Sequence, residues 1–278
     1  MRSIRPAFCI ERSNGVNDAF GLTAMAFDEA APAMGVIEFL GFRFSGMELD
    51  SATDAVAARA SLDAPFAYVV TPNVDHVVGL AAEPGRRALY EGAWLTLNDS
   101  RILRSLGARA ALDLPVATGA DLTEQLFDKV IDRREPITII GGDEDSIAEL
   151  KRRYRLTDVR WHRPPMNLKH KPGAVVRAAA FAAAQPSRFT FICVGAPQQE
   201  MIAYAIAQHG AKGVGLCVGG ALDFLSGRAE RAPRWMRGLG LEWLHRLVSE
   251  PGRLWKRYLI TGPKVFSLFA AWRASIAA

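Results

Sequence analysis

Short, mostly apolar runs alternate along this sequence with stretches whose apolar residues recur every three to four positions. The runs are Val36–Phe44, Phe66–Thr71, Trp94–Leu97, Ile137–Ile140, Phe189–Val194 and Gly213–Val218. Between them lie Ser51–Ser61, Asp75–Ala82, Asp121–Ile131, Asp143–Tyr154, Gly173–Ala184 and Pro197–His209. A strand that is apolar along its whole length has no face to offer water, so both its sides must be covered, and the helix after each strand supplies that cover. The alternation predicts an α/β fold over residues 34–227, a Rossmann-like and mostly parallel sheet flanked by helices. Residues 1–33 show no period and read as an irregular leader. In such sheets ligands gather at the carboxyl ends of the strands, so chemistry is expected in the strand-to-helix loops.

From Arg228 onward the character changes. Between Arg228 and Lys264 nine basic residues face three acidic ones, so the net charge of +5 resides in this segment and the remainder is close to neutral. Trp235, Trp243, Trp255 and Trp272 fall in the same region, and Pro233, Pro251 and Pro263 cut it into short helical pieces. Residues 228–278 therefore read as a helical, basic, tryptophan-rich appendage. Cations and interfacial tryptophan suit an anionic membrane surface. A nucleic-acid partner is disfavoured for want of a recognisable binding module, and an oligomer interface stays open. With no secretory signal in the first thirty residues and no apolar run long enough to span a bilayer, the chain is expected at the cytoplasmic face of the inner membrane, as a peripheral protein. Cys9, Cys193 and Cys217 make no metal or redox spacing and read as small hydrophobes.

Five loops on the predicted rim carry polar residues. Thr71-Pro72-Asn73-Val74-Asp75 closes the second run, and Leu97-Asn98-Asp99-Ser100 the third, where Asp99 can serve as a general base. Gly141-Gly142-Asp143-Glu144-Asp145 can cradle phosphate with its backbone amides. Its Asp-x-Asp also matches a short metal-binding pattern, but acidic residues in a first helical turn already satisfy the helix dipole, so no metal and no cofactor are expected. Gly195-Ala196-Pro197-Gln198-Gln199-Glu200 places an amide and a carboxylate at the rim, and Gly219-Gly220-Ala221-Leu222-Asp223 ends in another carboxylate. Taken singly, each signal is weak, and a turn with helix caps is the readier reading. No dinucleotide or P-loop glycine pattern is present.

The string Gly195-x-Pro197-x-Gln199-Glu200, Asp223-Phe224, Gly227, Arg231-Ala232-Pro233, Leu241-Glu242-Trp243-Leu244, Arg246-Leu247, Glu250-Pro251, Arg253 and Arg257-Tyr258 resembles the WecG/TagA/CpsF family of glycosyltransferases (glycosyltransferase family 26). Thr71-x-Asn73, Asp99, Gly119-x-Asp121-Leu122 and Gly141-Gly142 fit upstream in the same order. The resemblance implies an inverting transferase that takes a UDP-sugar donor and a polyprenyl-diphosphate-linked sugar acceptor. It places the base at Asp99, donor contacts at Thr71, Asn73, Gln199 and Asp223, and diphosphate-binding arginines in the appendage. Arg231, Arg246, Arg253 and Arg257 are the candidates, because a guanidinium can hold phosphate oxygens in a bidentate fork.

Three positions depart from the family's pattern. Asp99 is followed by Ser100 rather than glycine, Gln198 stands where lysine is common, and the position of an arginine before Gly119 is taken by about Val116. These departures resemble the xanthan-type branch, which implies a hexose, glucose, as the transferred sugar and a role in exopolysaccharide synthesis. The alternatives are transfer of N-acetylmannosamine or its uronate, as elsewhere in the family, and a non-catalytic peripheral protein of a polysaccharide assembly complex.

Overall fold

The computed structural model describes residues 35–277. The expected leader, residues 1–33, therefore lies outside the described residues. The chain opens with a hairpin, β1 (Val36–Phe39) and β2 (Phe42–Ser45), where the sequence pattern suggested one strand. Leu40 and Gly41 both take positive φ, at 50° and 85°, which reverses the chain in two residues.

The remaining strands are β3 (Ala67–Val70), β4 (Leu95–Thr96), β5 (Ile137–Gly141), β6 (Val159–His162), β7 (Phe189–Cys193) and β8 (Val214–Cys217). They form one sheet in the order β4-β3-β8-β7-β5-β6, and every pairing is parallel. β6 is absent from the strands legible in sequence. It lies at the sheet edge, its residues are all half-buried, and Val-Arg-Trp-His carries too few apolar positions to signal a strand.

Side chains alternate across the sheet and divide the core in two. One face buries Tyr68, Val70, Ile140, Ile192 and Cys217 beneath α2 (Val74–Ala82), α7 (Pro172–Ala183) and α8 (Gln198–Gln208). The other buries Val69, Ile139, Phe191 and Leu216 beneath α1 (Leu49–Arg59), α5 (Gly119–Lys129) and α6 (Glu144–Tyr154). Close approach is built in at β8: a methyl on Gly215 would lie 2.4 Å from the Phe66 ring. Two shorter helices, α3 (Arg87–Glu91) and α4 (Arg101–Ala108), flank β4, and α9 (Ala221–Leu225) follows β8.

The appendage is a string of short helices: α10 (Arg234–Gly238), α11 (Glu242–Ser249), α12 (Pro251–Trp255), a π-helical turn at Lys256–Thr261, and α13 (Lys264–Ala277). The last of these returns to the body of the protein. Val265 is buried, and Phe269 and Trp272 meet Phe39 edge-on with centroids 6.1 and 5.0 Å away. Trp272 thus packs against the first hairpin, whereas Trp235 and Trp255 are exposed. Phe39→Ala should cost about 3–5 kcal/mol, because it empties a buried aromatic site and unseats α13. Thermal unfolding checks it, and a loss under about 1 kcal/mol would show that α13 is held elsewhere.

Candidate active site

The carboxyl ends of β4, β3, β8, β7 and β5 follow one another along the sheet, so their loops share one rim. At the end of β3, Thr71 is buried and its hydroxyl donates to the Cys217 carbonyl at 3.2 Å, which joins the β3 and β8 loops. Asn73 caps α2, its Oδ1 accepting from the Asp75 N–H at 3.1 Å. The amide of the same side chain donates to Asp99 Oδ2 at 3.4 Å, and the Asp99 N–H donates to the Pro72 carbonyl at 2.9 Å. Two bonds therefore hold the β4 loop against the β3 loop.

Ser100 caps α4, with its hydroxyl accepting from the Leu103 N–H at 3.2 Å. The serine that departs from the family's glycine thus fixes the direction in which α4 leaves Asp99.

Behind Asp99 a polar chain crosses the rim. The Asn73 N–H donates to His76 Nδ1 at 3.2 Å, and His76 Nε2 faces Glu200 Oε1 at 3.4 Å. Gln199 donates to that same Glu200 oxygen at 2.8 Å and accepts from the Gly219 N–H at 2.9 Å. Glu200 is fully buried and Gln199 nearly so. The bonds from Asn73 to Asp99 on one side of the His76–Glu200 contact, and from Gly219 to Gln199 to Glu200 on the other, fix rotamers in the β3, β7 and β8 loops.

Burial pushes the Asp99 carboxyl up to about 7, with Glu242 at the start of α11 raising it further and His76 and the Asn73 amide opposing. A carboxylate that titrates near neutrality is a stronger proton acceptor than an ordinary one. Asp99 can accept a proton only when ionised, so a reaction that uses it as base should show kcat/KM rising with pH through an apparent pKa near 7. Glu242→Gln removes a neighbouring negative charge, favours the ionised form, and should move that limb to lower pH. An acid limb near 4, or one unmoved in the variant, would contradict this account of Asp99.

The glycine loops complete the rim. Gly141 and Gly142 have φ of 107° and 72°. A Cβ there would meet the Cys193 carbonyl oxygen and Leu222 Cδ2, each at 2.5 Å. These positions admit only glycine, because the β5 loop is pressed against the β7 and β8 loops. Gly195, with φ of 78°, has open space around it. Asp143 of the Asp-x-Asp accepts from the Ser146 N–H at 3.0 Å and from its hydroxyl at 2.7 Å, and it also pairs with Arg228. Its carboxyl is held down at about 2, chiefly by Ser146 and then by Arg228, so its oxygens are already engaged in capping.

The four candidate arginines have different surroundings. Arg231 donates to Asp121 Oδ1 at 2.7 Å and lies 3.4 Å from Glu124, pinning the appendage to α5. Asp121 is held below its usual value; burial alone would raise it, but bonds from Arg231 and Thr118 outweigh that. Arg253 pairs with Glu250 at 2.5 Å, and Arg257 with Asp75 at 3.4 Å. Arg246 forms no salt bridge among the described residues. Its guanidinium stacks over Phe224 at 5.5 Å, and a methyl on Gly220 would lie 3.8 Å from its Nη2 and 3.7 Å from Asp223 Oδ2. It therefore reaches the glycine turn after β8 with its donors uncommitted. Burial raises the Asp223 carboxyl, against the pull of Arg228, Arg253 and Arg246.

The structure thus gathers Thr71, Asn73, Asp99, Gln199 and Glu200 at one rim, and places Asp223 and Arg246 at the adjoining β8 turn. His76, and a part for Glu242 beside Asp99 beyond its place in the motif string, are what the sequence did not assign. His76 stands three residues after a capping asparagine, a spacing that carried the signal; Glu242 reaches Asp99 only through tertiary folding. Among the described residues no three His, Cys, Asp or Glu side chains are grouped to hold a metal ion. No described helix is long and apolar enough to cross a membrane.

The model of the glycosyl transferase WecG/TagA/CpsF family matches residues 37–277, nearly the whole described chain. Members of this family act in polysaccharide biosynthesis, with a nucleotide-sugar donor and a lipid-linked acceptor. On that match, over a parallel α/β sheet with its polar network at the strand ends, the chain belongs to the WecG/TagA/CpsF family of glycosyltransferases.

Proposed function

We propose that this protein is an inverting hexosyltransferase that moves a sugar, glucose in the preferred reading, from a UDP donor to a polyprenyl-diphosphate-linked sugar at the cytoplasmic face of the inner membrane, in exopolysaccharide synthesis. The observation that carries the reading is Asp99, a carboxyl raised toward neutrality and fixed by Asn73 at the rim of the sheet. Asp99 removes the proton from the acceptor hydroxyl as that oxygen attacks the anomeric carbon from the face opposite UDP. The C–O bond to UDP breaks, negative charge grows on the β-phosphate, and Arg246 at the Gly219-Gly220 turn supplies donors to meet it. No metal is assigned a part; the charge is met by the guanidinium.

Membrane attachment is supported by the appendage, where Trp235, Leu239, Val248, Leu259, Ile260 and Phe266 are exposed on the same basic segment as Arg253 and Lys256. The glucose assignment rests on the Asp99-Ser100 and Gln198 departures. Transfer from a panel of radiolabelled UDP-sugars to a short-chain glucosyl-diphosphate lipid, with and without EDTA, tests the whole reading. UDP-glucose should be used best, and chelation should leave the rate within about twofold. Preference for UDP-N-acetylmannosamine would move the protein to another branch of the family, and no turnover of any donor would favour a binding role.

A further inference from the structure

A second concave surface lies beside the Asp99 loop and takes no part in the site described above. α4 begins at Arg101, two residues after Asp99, and residues 101–109 contain three arginines and no acid. Leu103 and Leu106 turn into the core, while Arg101, Arg104 and Arg109 stay exposed. None of the three forms a salt bridge among the described residues. They line a cleft of about 450 Å³ whose other wall is apolar, made of Ile102 at its base, Leu239 from the turn after α10, and Phe266 from α13. Leu239 is 70% exposed and Phe266 53%. The turn rests directly on α4, since a methyl on Gly240 would lie 3.4 Å from Arg101 Cβ.

A cleft with unpaired guanidiniums along one wall and exposed hydrocarbon along the other suits an amphiphile whose anionic head adjoins an apolar chain. Inorganic phosphate would leave the apolar wall wet, and a neutral lipid would leave three cations without a counter-charge. We propose that this cleft seats the diphosphate and first isoprene units of the lipid-linked acceptor, so that the acceptor sugar projects past the start of α4 toward Asp99. This rests on the reading that the acceptor is a prenyl-diphosphate-linked sugar. It assigns the donor and acceptor phosphates to different arginines: Arg246 for the donor, Arg101, Arg104 and Arg109 for the acceptor.

Farnesyl diphosphate is a soluble probe with both halves of the required chemistry, and its binding to the full chain can be followed by tryptophan fluorescence. Arg104→Ser/Arg109→Ser should weaken it at least tenfold, and Leu239→Glu should weaken farnesyl diphosphate more than inorganic pyrophosphate. UDP binding should be unchanged in both variants, which also reports that the core is folded. Equal farnesyl diphosphate affinity in wild type and the double variant would overturn the assignment. So would a double variant that lost only its binding to phosphatidylglycerol vesicles, since the arginines would then serve the membrane surface. A wild-type protein that binds UDP but not farnesyl diphosphate sinks this inference alone, whereas failure to bind UDP as well would sink the functional reading beneath it.

Discussion

Asp99→Asn should lower turnover by about 10²–10⁴-fold while leaving the fold intact. The substitution keeps shape and one carbonyl oxygen, so the contact from Asn73 at 3.4 Å and the backbone bond to Pro72 both survive. It removes the lone pair that takes the acceptor proton. Stability should hold or rise slightly, because a carboxyl whose ionisation burial opposes is replaced by a neutral group. The loss corresponds to about 2.7–5.5 kcal/mol of transition-state stabilisation, far beyond what a misplaced helix cap could cause. Steady-state rates with acceptor saturating, together with a thermal melt, decide the matter. A fall of only a few fold at unchanged melting temperature would assign Asp99 a structural part and leave the protein without a base.

Arg246→Ala should cut turnover by about 10²–10³-fold, the usual consequence of removing one donor aimed at developing oxyanion charge. Its effect on stability should stay under about 1 kcal/mol, since its recorded contact is the stack on Phe224. Arg231→Ala makes the instructive contrast. That side chain is held by Asp121 and Glu124 and stacks on the same ring at 5.6 Å, so its loss leaves Asp121 short of its main cation. Arg231→Ala should therefore destabilise the protein by about 1–3 kcal/mol. Lysine at position 246 keeps the charge but not the planar fork, and should restore only part of the rate. Parallel kinetics and melts on the two alanine variants separate donor contact from tethering. Equal stability losses, or a rate unaffected by Arg246→Ala, would place the diphosphate elsewhere.

The fold was readable wherever one physical signal acted alone. β3, β5, β7 and β8 are buried on both faces, so their residues are nearly all apolar and announce themselves. β6 sits at an edge with one neighbour, where arginine and histidine cost little, and its sequence carries no such mark. α4 likewise escaped notice between Leu97 and Asp121, because eight residues make only about two turns, too short a window for Leu103 and Leu106 to establish a period.

Within the site, the loop residues could be found because the topology fixes which ends of the strands share a rim. What each arginine does could not: Arg253 has its carboxylate three residues away, but Arg231 and Arg257 take theirs from distant elements and Arg246 has no salt bridge among the described residues, differences that only tertiary folding creates. Trp272 makes the same point. Its place among basic residues suggested the membrane, yet its ring packs against Phe39.

The position of β8 has a consequence for how the enzyme comes into being. β3 and β7 do not pair with each other; each pairs with β8, so, among the described residues, 214–217 form the only strand that joins the β4-β3 half of the sheet to the β7-β5-β6 half. During synthesis both halves can form early, but each must wait with an open edge until that short segment emerges and slots between them. The proton acceptor on one half and the glycine loops on the other are strangers until then. A chain arrested before residue 214 is consequently not a weakened enzyme but two unjoined sheets with edges prone to mispairing.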